Sequence, residues 1–142
     1  AIWQPIAAFL QKCSGFIVVT PEWHGMVPSV LKNFFLHCRY RELGHKPALI
    51  VAVSSGRGGS YPITELRMSS YKNNRICYIP EHIIIRNVEN MLKKSQDPLD
   101  KEDVYIRQRI SFAVSLLISY AQSFIPIRTL ANKHCDLFPN GM

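Results

Sequence analysis

The sequence holds little of what marks a metal centre, a disulfide scaffold or a membrane protein. Its four cysteines, Cys13, Cys38, Cys77 and Cys135, form no C-x-x-C pair and follow no zinc-ligand spacing. Cys13, Cys38 and Cys77 sit among apolar residues, which points to buried thiols and a reduced, cytoplasmic setting. Low-complexity tracts, internal repeats and a secretory signal pattern are missing. So are the phosphate-loop spacing G-x-x-x-x-G-K-[ST] and the dinucleotide pattern G-x-G-x-x-G. Acidic residues are scarce, 10 against 17 Lys and Arg, for a net charge of +7. The basic residues are nevertheless scattered. Arg39/Arg41, Lys93/Lys94 and Arg107/Arg109 are the tightest groups, and none forms an arm or a stripe. We read a solvated basic face and expect no nucleic-acid partner. The longest uncharged run, Ile110 to Ile127, approaches the length of a membrane span. Ser111, Ser115, Ser119, Gln122 and Ser123 recur within it at steps that share one helix side, so an amphipathic helix is expected and no membrane partner.

What is present suits one globular domain spanning residues 1–142, with 47% hydrophobic and 19% charged residues. The opening residues read as a helix already under way, with Ile2, Ile6, Phe9 and Leu10 on one side and no capping signal ahead. This leads us to expect that the chain is the middle of a longer protein. Phe16–Thr20 reads as a continuous apolar strand covered on both faces. Pro28 is expected to open a helix striped by Val30, Leu31, Phe34, Phe35 and Cys38 and ended by Gly44 and Pro47. Ala48–Val53 is a second buried strand, Ser54–Pro62 a loop and Ile63–Lys72 a short helix. Arg75–Ile79 is a third strand and Ser95–Asp103 a polar linker. Asp100 or Asp103 caps a last helix that runs to about Phe124. This alternation implies an α/β fold with right-handed crossovers and helices on both faces of a parallel sheet.

In such sheets ligands bind beyond the carboxyl ends of the strands, which selects two loops. Thr20–Val27 contains Pro21, Glu22, Trp23, His24 and Gly25. Pro21 turns the chain out of the sheet, Gly25 permits close approach of the backbone, and the N–H groups of residues 22–25 are candidates to meet acceptor atoms. A planar heteroaromatic with carbonyl and ring-nitrogen acceptors suits this loop; equally, Trp23 and His24 suit plugs over the core. The second loop, Ser54–Pro62, places Gly56, Gly58 and Gly59 around Arg57, a composition that permits a nest of backbone N–H groups. Arg57 suits either an attractor of phosphates or a solvated loop tip. Glu81 and His82 adjoin on a strand and face opposite ways, so no metal pair is expected.

"TPEWHGMVPSVLKN" with "SSGRGG" resembles the NADPH-dependent FMN reductase family of flavodoxin-like proteins. The family carries T-P-E-Y-N-x-x-x-P-G-x-L-K-N after its third strand and a Ser/Gly-rich loop after its fourth. Pro21, Glu22, Pro28, Leu31, Lys32 and Asn33 match. Trp23 replaces Tyr, His24 replaces Asn, and Ser29 replaces a frequent Gly. "YIPEHIII" at Tyr78–Ile85 and the terminal helix also fit. The resemblance implies a flavodoxin-like three-layer α/β sandwich with a parallel sheet whose N-terminal strands are missing from this chain. It also implies FMN as cofactor and NADPH (or NADH) as hydride donor. Pro21, Glu22, Trp23, His24 and Gly25 would cradle the isoalloxazine from one side. Ser54, Ser55, Gly56, Arg57, Gly58 and Gly59 would close over the other. Lys32 and Asn33 would fix the loop.

The family's phosphate-binding segment after its first strand has no counterpart here, nor do its first strand, first helix and second strand. The expectations are therefore an NAD(P)H oxidoreductase passing electrons to a small-molecule acceptor such as a flavin or quinone, or a degenerate domain acting as a binding or assembly module. A one-electron carrier fits poorly, since such proteins present an acidic face. Because the flavin carries the chemistry, no catalytic side chain is assigned. Phe112 and Leu116 lie off the apolar stripe formed by Ile110, Val114, Leu117, Ile118, Ala121 and Ile125. With the family's habit of association, this leads us to expect a homodimer or homotetramer.

Overall fold

The computed structural model describes residues 2–93 and 100–141. Most of the linker read at Ser95–Asp103 lies outside the described residues. The elements run α1 (Trp3–Lys12), β1 (Phe16–Pro21), α2 (Ser29–His37), α3 (Tyr40–Leu43), β2 (Pro47–Val53), α4 (Ser60–Met68) and β3 (Cys77–Ile85). A 3-10 turn at Val88–Asn90 follows, then α5 (Lys101–Ser123) and α6 (Ile125–Asn132). The sheet is parallel, ordered β1-β2-β3. Phe16 pairs with Ala48 and Pro21 with Val53, while Pro47 pairs with Cys77 and Val53 with Ile85. All three strands therefore deliver their carboxyl ends to one side.

β2 is the middle strand, and its side chains alternate between two cores. Ala48, Ile50 and Ala52 join Val27, Phe35, Ile63 and Leu66 beneath α1, α2 and α4. Leu49 and Val51 join Ile79, Ile83, Ile106, Ala113 and Leu117 beneath α5. This is the expected three-layer arrangement. Lys46 is buried just ahead of β2. Its Nζ donates to the carbonyls of Leu10 (2.8 Å), Gln11 (3.1 Å) and Glu42 (2.8 Å), tying the end of α1 to α3.

Several expectations need correction. β1 is not covered on both faces. Ile17 and Val19 are 50% and 59% exposed, because β1 is an edge strand and no described helix lies over that face. On α1, Ile2, Ile6 and Phe9 are exposed; the helix instead docks through Leu10 and Trp3, whose ring meets Phe34 and His37. α2 stops at His37, ahead of the expected end. Glu42 accepts from Arg39 N (2.8 Å) and restarts the chain as the separate α3. α4 begins at Ser60 and ends at Met68, with Pro62 tolerated in its first turn. β3 runs through Pro80 to Ile85, because a register shift takes the proline out of the ladder. Asp100 is the cap of α5, receiving Asp103 N at 2.9 Å. The serine side of α5 faces solvent as expected, but Ile118 and Ile125 of the apolar stripe are exposed too. No single described helix is long and apolar enough to cross a membrane.

Candidate functional site

Two loops meet at the carboxyl end of the sheet. The first leaves β1 at Pro21, and Glu22 N donates to Val53 O at 2.9 Å, so the ladder continues one residue into the loop. Trp23 and Met26 then exchange backbone bonds, N to O at 3.1 Å and 2.9 Å. His24 and Gly25 sit between them with φ of 48° and 72°. Two left-handed residues closing a two-residue hairpin are what a type I′ turn demands. The expectation that all N–H groups of residues 22–25 face a ligand is therefore corrected. Those of Glu22 and Trp23 are engaged within the protein, while those of His24 and Gly25 have no acceptor among the described residues. Beyond the hairpin, Val27 N donates to Glu65 Oε2 (2.7 Å), and Lys32 Nζ lies 2.6 Å from Glu65 Oε1. Burial pushes the Glu65 carboxyl up, but Lys32 and the Val27 N–H outweigh it and hold the group below its ordinary value. Lys32 thus fixes the loop to α4.

The second loop is pinned from three sides. Ser54 N donates to Ile85 O (2.9 Å), Asn87 N to Gly56 O (2.9 Å) and Val88 N to Ser54 O (3.2 Å). Arg86 Nε reaches the carbonyls of Arg57 (2.8 Å) and Gly58 (3.1 Å). Gly59 N donates to Glu22 Oε2 at 2.5 Å, joining the two loops. Gly56 N makes only a 3.3 Å contact with Ser54 Oγ, and the N–H groups of Ser55, Arg57 and Gly58 find no acceptor among the described residues.

The three glycines differ in kind. A Cβ on Gly56 would meet nothing within 4 Å, so this residue borders open space. A Cβ on Gly58 would lie 2.6 Å from Glu22 Oε1, and one on Gly59, at φ 108°, would overlap Ile84 Cγ2. Gly59 is thus required by its left-handed φ and by packing against Ile84, whereas at Gly58 the obstacle is the end of the Glu22 side chain.

Trp23 and His24 do not plug the core. Trp23 is 67% exposed and walls an apolar cavity of about 610 Å³ with Val19, Pro21, Pro28, Val30, Leu31 and Phe34. Tyr61, which the sequence analysis did not select, is exposed on the first turn of α4. Its ring lies 3.8 Å from where a Gly25 Cβ would stand, so it borders both loops. The sequence signal for it is an aromatic two positions past a Gly pair. Arg57 is exposed at the loop tip. No group of three or more His, Cys, Asp or Glu able to hold a metal occurs among the described residues.

Backbone donors on two adjacent loops, an open glycine and bordering aromatic rings suit an acceptor-rich planar group such as the pyrimidine edge of a flavin. The sequence model described as NADPH-dependent FMN reductase matches residues 1–90. The fold is similar to that of an oxidoreductase from Corynebacterium diphtheriae, at 21% identity and a TM-score of 0.67, covering 87% of this chain and 63% of that one. It is also similar to an NADPH-quinone reductase from P. pentosaceus, at 16% identity and a TM-score of 0.51, covering 84% of this chain and 72% of that one. This chain thus spans less than two thirds of the first of these structures. No curated protein matches it. The family match takes in α1, both loops and all of β1, α2, β2, α4 and β3, and on that basis the chain belongs to the NADPH-dependent FMN reductase family.

Proposed function

We propose that the protein is an FMN-dependent NAD(P)H oxidoreductase that hands electrons to a small-molecule acceptor, a flavin or a quinone. The observation that carries this is the set of backbone N–H groups without acceptors among the described residues at His24, Gly25, Ser55, Arg57 and Gly58, on two loops held side by side. Gly25 and Gly58 are half-buried and His24, Ser55 and Arg57 are exposed, so these donors are open to a ligand rich in acceptors.

FMN, when bound, supplies the hydride chemistry. The chain's part is position and field. The N–H groups of the first hairpin would bind the pyrimidine edge, and Gly56 leaves room for close approach. Trp23 and Tyr61 offer flat apolar surface at the rim. Arg57 and Arg86 add positive charge near the loop, which suits the phosphates of NADPH or NADH. No side chain is asked to act as acid or base. A cytoplasmic homodimer or homotetramer, with no nucleic-acid or membrane partner, completes the proposal.

A second reading is a binding or assembly module without catalysis. The uncovered edge and face of β1 favour it, since exposed apolar strands mark sites of association. Purified protein decides between the two. Heat-released ligand that chromatographs as FMN, together with NADPH oxidation when an acceptor is added, supports the reductase. A colourless protein that neither takes up added FMN nor consumes NADPH or NADH supports the module.

A further inference from the structure

We propose that Glu22 is a positioning residue whose carboxylate latches the Ser54–Gly59 loop onto the Pro21–Gly25 loop, and so sets the spacing of the N–H groups that receive the flavin. The flavin part of this rests on the function proposed above; the latch itself does not. The sequence placed Glu22 among ligand-contacting residues, but its side chain has turned away from that role. Oε2 accepts from Gly59 N at 2.5 Å, and Oε1 fills the space where a Gly58 side chain would stand, 2.6 Å away.

Three physical facts make this contact more than incidental. First, a carboxylate accepting a backbone N–H forms a charge-assisted bond, stronger than a neutral one. Second, Gly59 is the N-cap of α4, which has no side-chain cap and no acidic residue in its first turn. Glu22 supplies from another loop the negative charge that a helix N-terminus favours. Third, the loop's opposite flank is held by Arg86, whose Nε bonds the carbonyls of Arg57 and Gly58. The loop is therefore strung between an anion and a cation, and the N–H groups of Ser55, Arg57 and Gly58 have no acceptor among the described residues. Because Glu22 is itself fixed to β2 by its N–H on Val53 O, the latch transmits the position of one loop to the other. A carboxylate at this helix end also leaves no welcome there for a ligand phosphate.

The test compares the full chain with Glu22→Ala and Glu22→Gln. Amide hydrogen exchange without flavin reads the latch at Gly59. FMN titration, followed by fluorescence quenching and the shape of the bound flavin's visible band, reads the site. The expected result is that Glu22→Ala exposes the Gly59 amide and weakens FMN about ten- to hundredfold, the equivalent of one hydrogen bond to a charged group. Its thermal midpoint falls by about 2–8 °C, as the loss of a hydrogen bond to a charged group requires, and Glu22→Gln, which keeps the acceptor oxygen, restores most of the affinity and the band shape. Unchanged Gly59 exchange in Glu22→Ala overturns the latch. Lost protection with FMN affinity within about twofold of wild type overturns its positioning role. If the wild-type chain binds no FMN, the flavin reading fails, and Gly59 exchange alone decides whether the latch exists.

Discussion

Gly58 and Gly59 show how a residue's reason can lie outside its own neighbourhood in the chain. From the sequence, a Gly-rich loop after a strand reads as a cradle. In the structure only Gly56 borders open space, while a Cβ on its two companions would meet Glu22 and Ile84, 36 and 25 residues away in the numbering, and at Gly59 the positive φ adds to the collision. Gly59→Ala is therefore expected to destabilise the fold by about 1–3 kcal/mol, from the positive φ and the collision with Ile84. Urea unfolding measures this, and a wild-type midpoint would show that the loop gives way freely. Trp23 behaves oppositely. It is exposed, so Trp23→Ala should shift stability by less than about 0.5 kcal/mol. If its face borders the flavin, the same change weakens FMN binding by about 1–3 kcal/mol. A titration that matches wild type would remove Trp23 from the site. The turn chemistry of Pro21 and Gly25 was legible from residue type alone. That His24 would adopt a left-handed conformation was not, because the requirement comes from the pairing of Trp23 with Met26.

Among the elements, β2 and α5 were the most readable, and for one reason: each repeats its period without interruption. The "ALIVAV" run is buried on both faces, and the serines of α5 all point outward. β3 runs six residues past Ile79, the end expected from sequence, where Pro80 looks like a terminator. A strand can carry proline where a bulge removes it from the ladder, and Arg67 satisfies the carbonyls thus freed, donating to Ile79 O at 2.7 Å and Pro80 O at 3.0 Å. α6 follows α5 directly and was not foreseen, since Pro126 in its first turn reads locally as a stop. α5 itself is anchored at its start by Asp103. The Leu92 N–H, then Arg107 at 2.5 Å, hold the buried Asp103 carboxyl below the usual carboxylate range. Its folded value lies below its unfolded one. The stability it contributes is therefore complete above about pH 4 and disappears as pH falls through the folded value. Asp103→Asn should lower stability near neutrality and flatten the acid limb below about pH 4. Urea midpoints measured across that range check it, and an acid limb as steep as wild type's would deny Asp103 the role.

For the whole molecule, the alternating pattern made the parallel sheet and the two helical layers readable. What it could not convey is which surfaces stay uncovered, since that depends on strand order and not on any one segment. The large apolar side chains left exposed include Ile17 and Val19 on β1, and Tyr105, Phe112 and Ile118 on α5. Phe112, 49% exposed with Arg109 over its ring at 5.8 Å, shares one side of α5 with Tyr105, a heptad earlier. Exposed apolar groups in this number favour association, and two-fold symmetry is the default for it. We expect light scattering at micromolar concentration to report at least twice the chain mass of 16.3 kDa, with Phe112→Lys shifting the equilibrium toward monomer. A monomeric wild-type mass would end that expectation.

The chemistry assigned to the molecule rests on five backbone amides, so the most direct measurement observes them. FMN is titrated into ¹⁵N-labelled full chain and the amide resonances are followed. The proposed site predicts that His24, Gly25, Ser55, Arg57 and Gly58 shift together along one binding curve, and that FAD does not replace FMN at equal concentration. FMN that perturbs other amides while these five stay still, or that perturbs none, would contradict it.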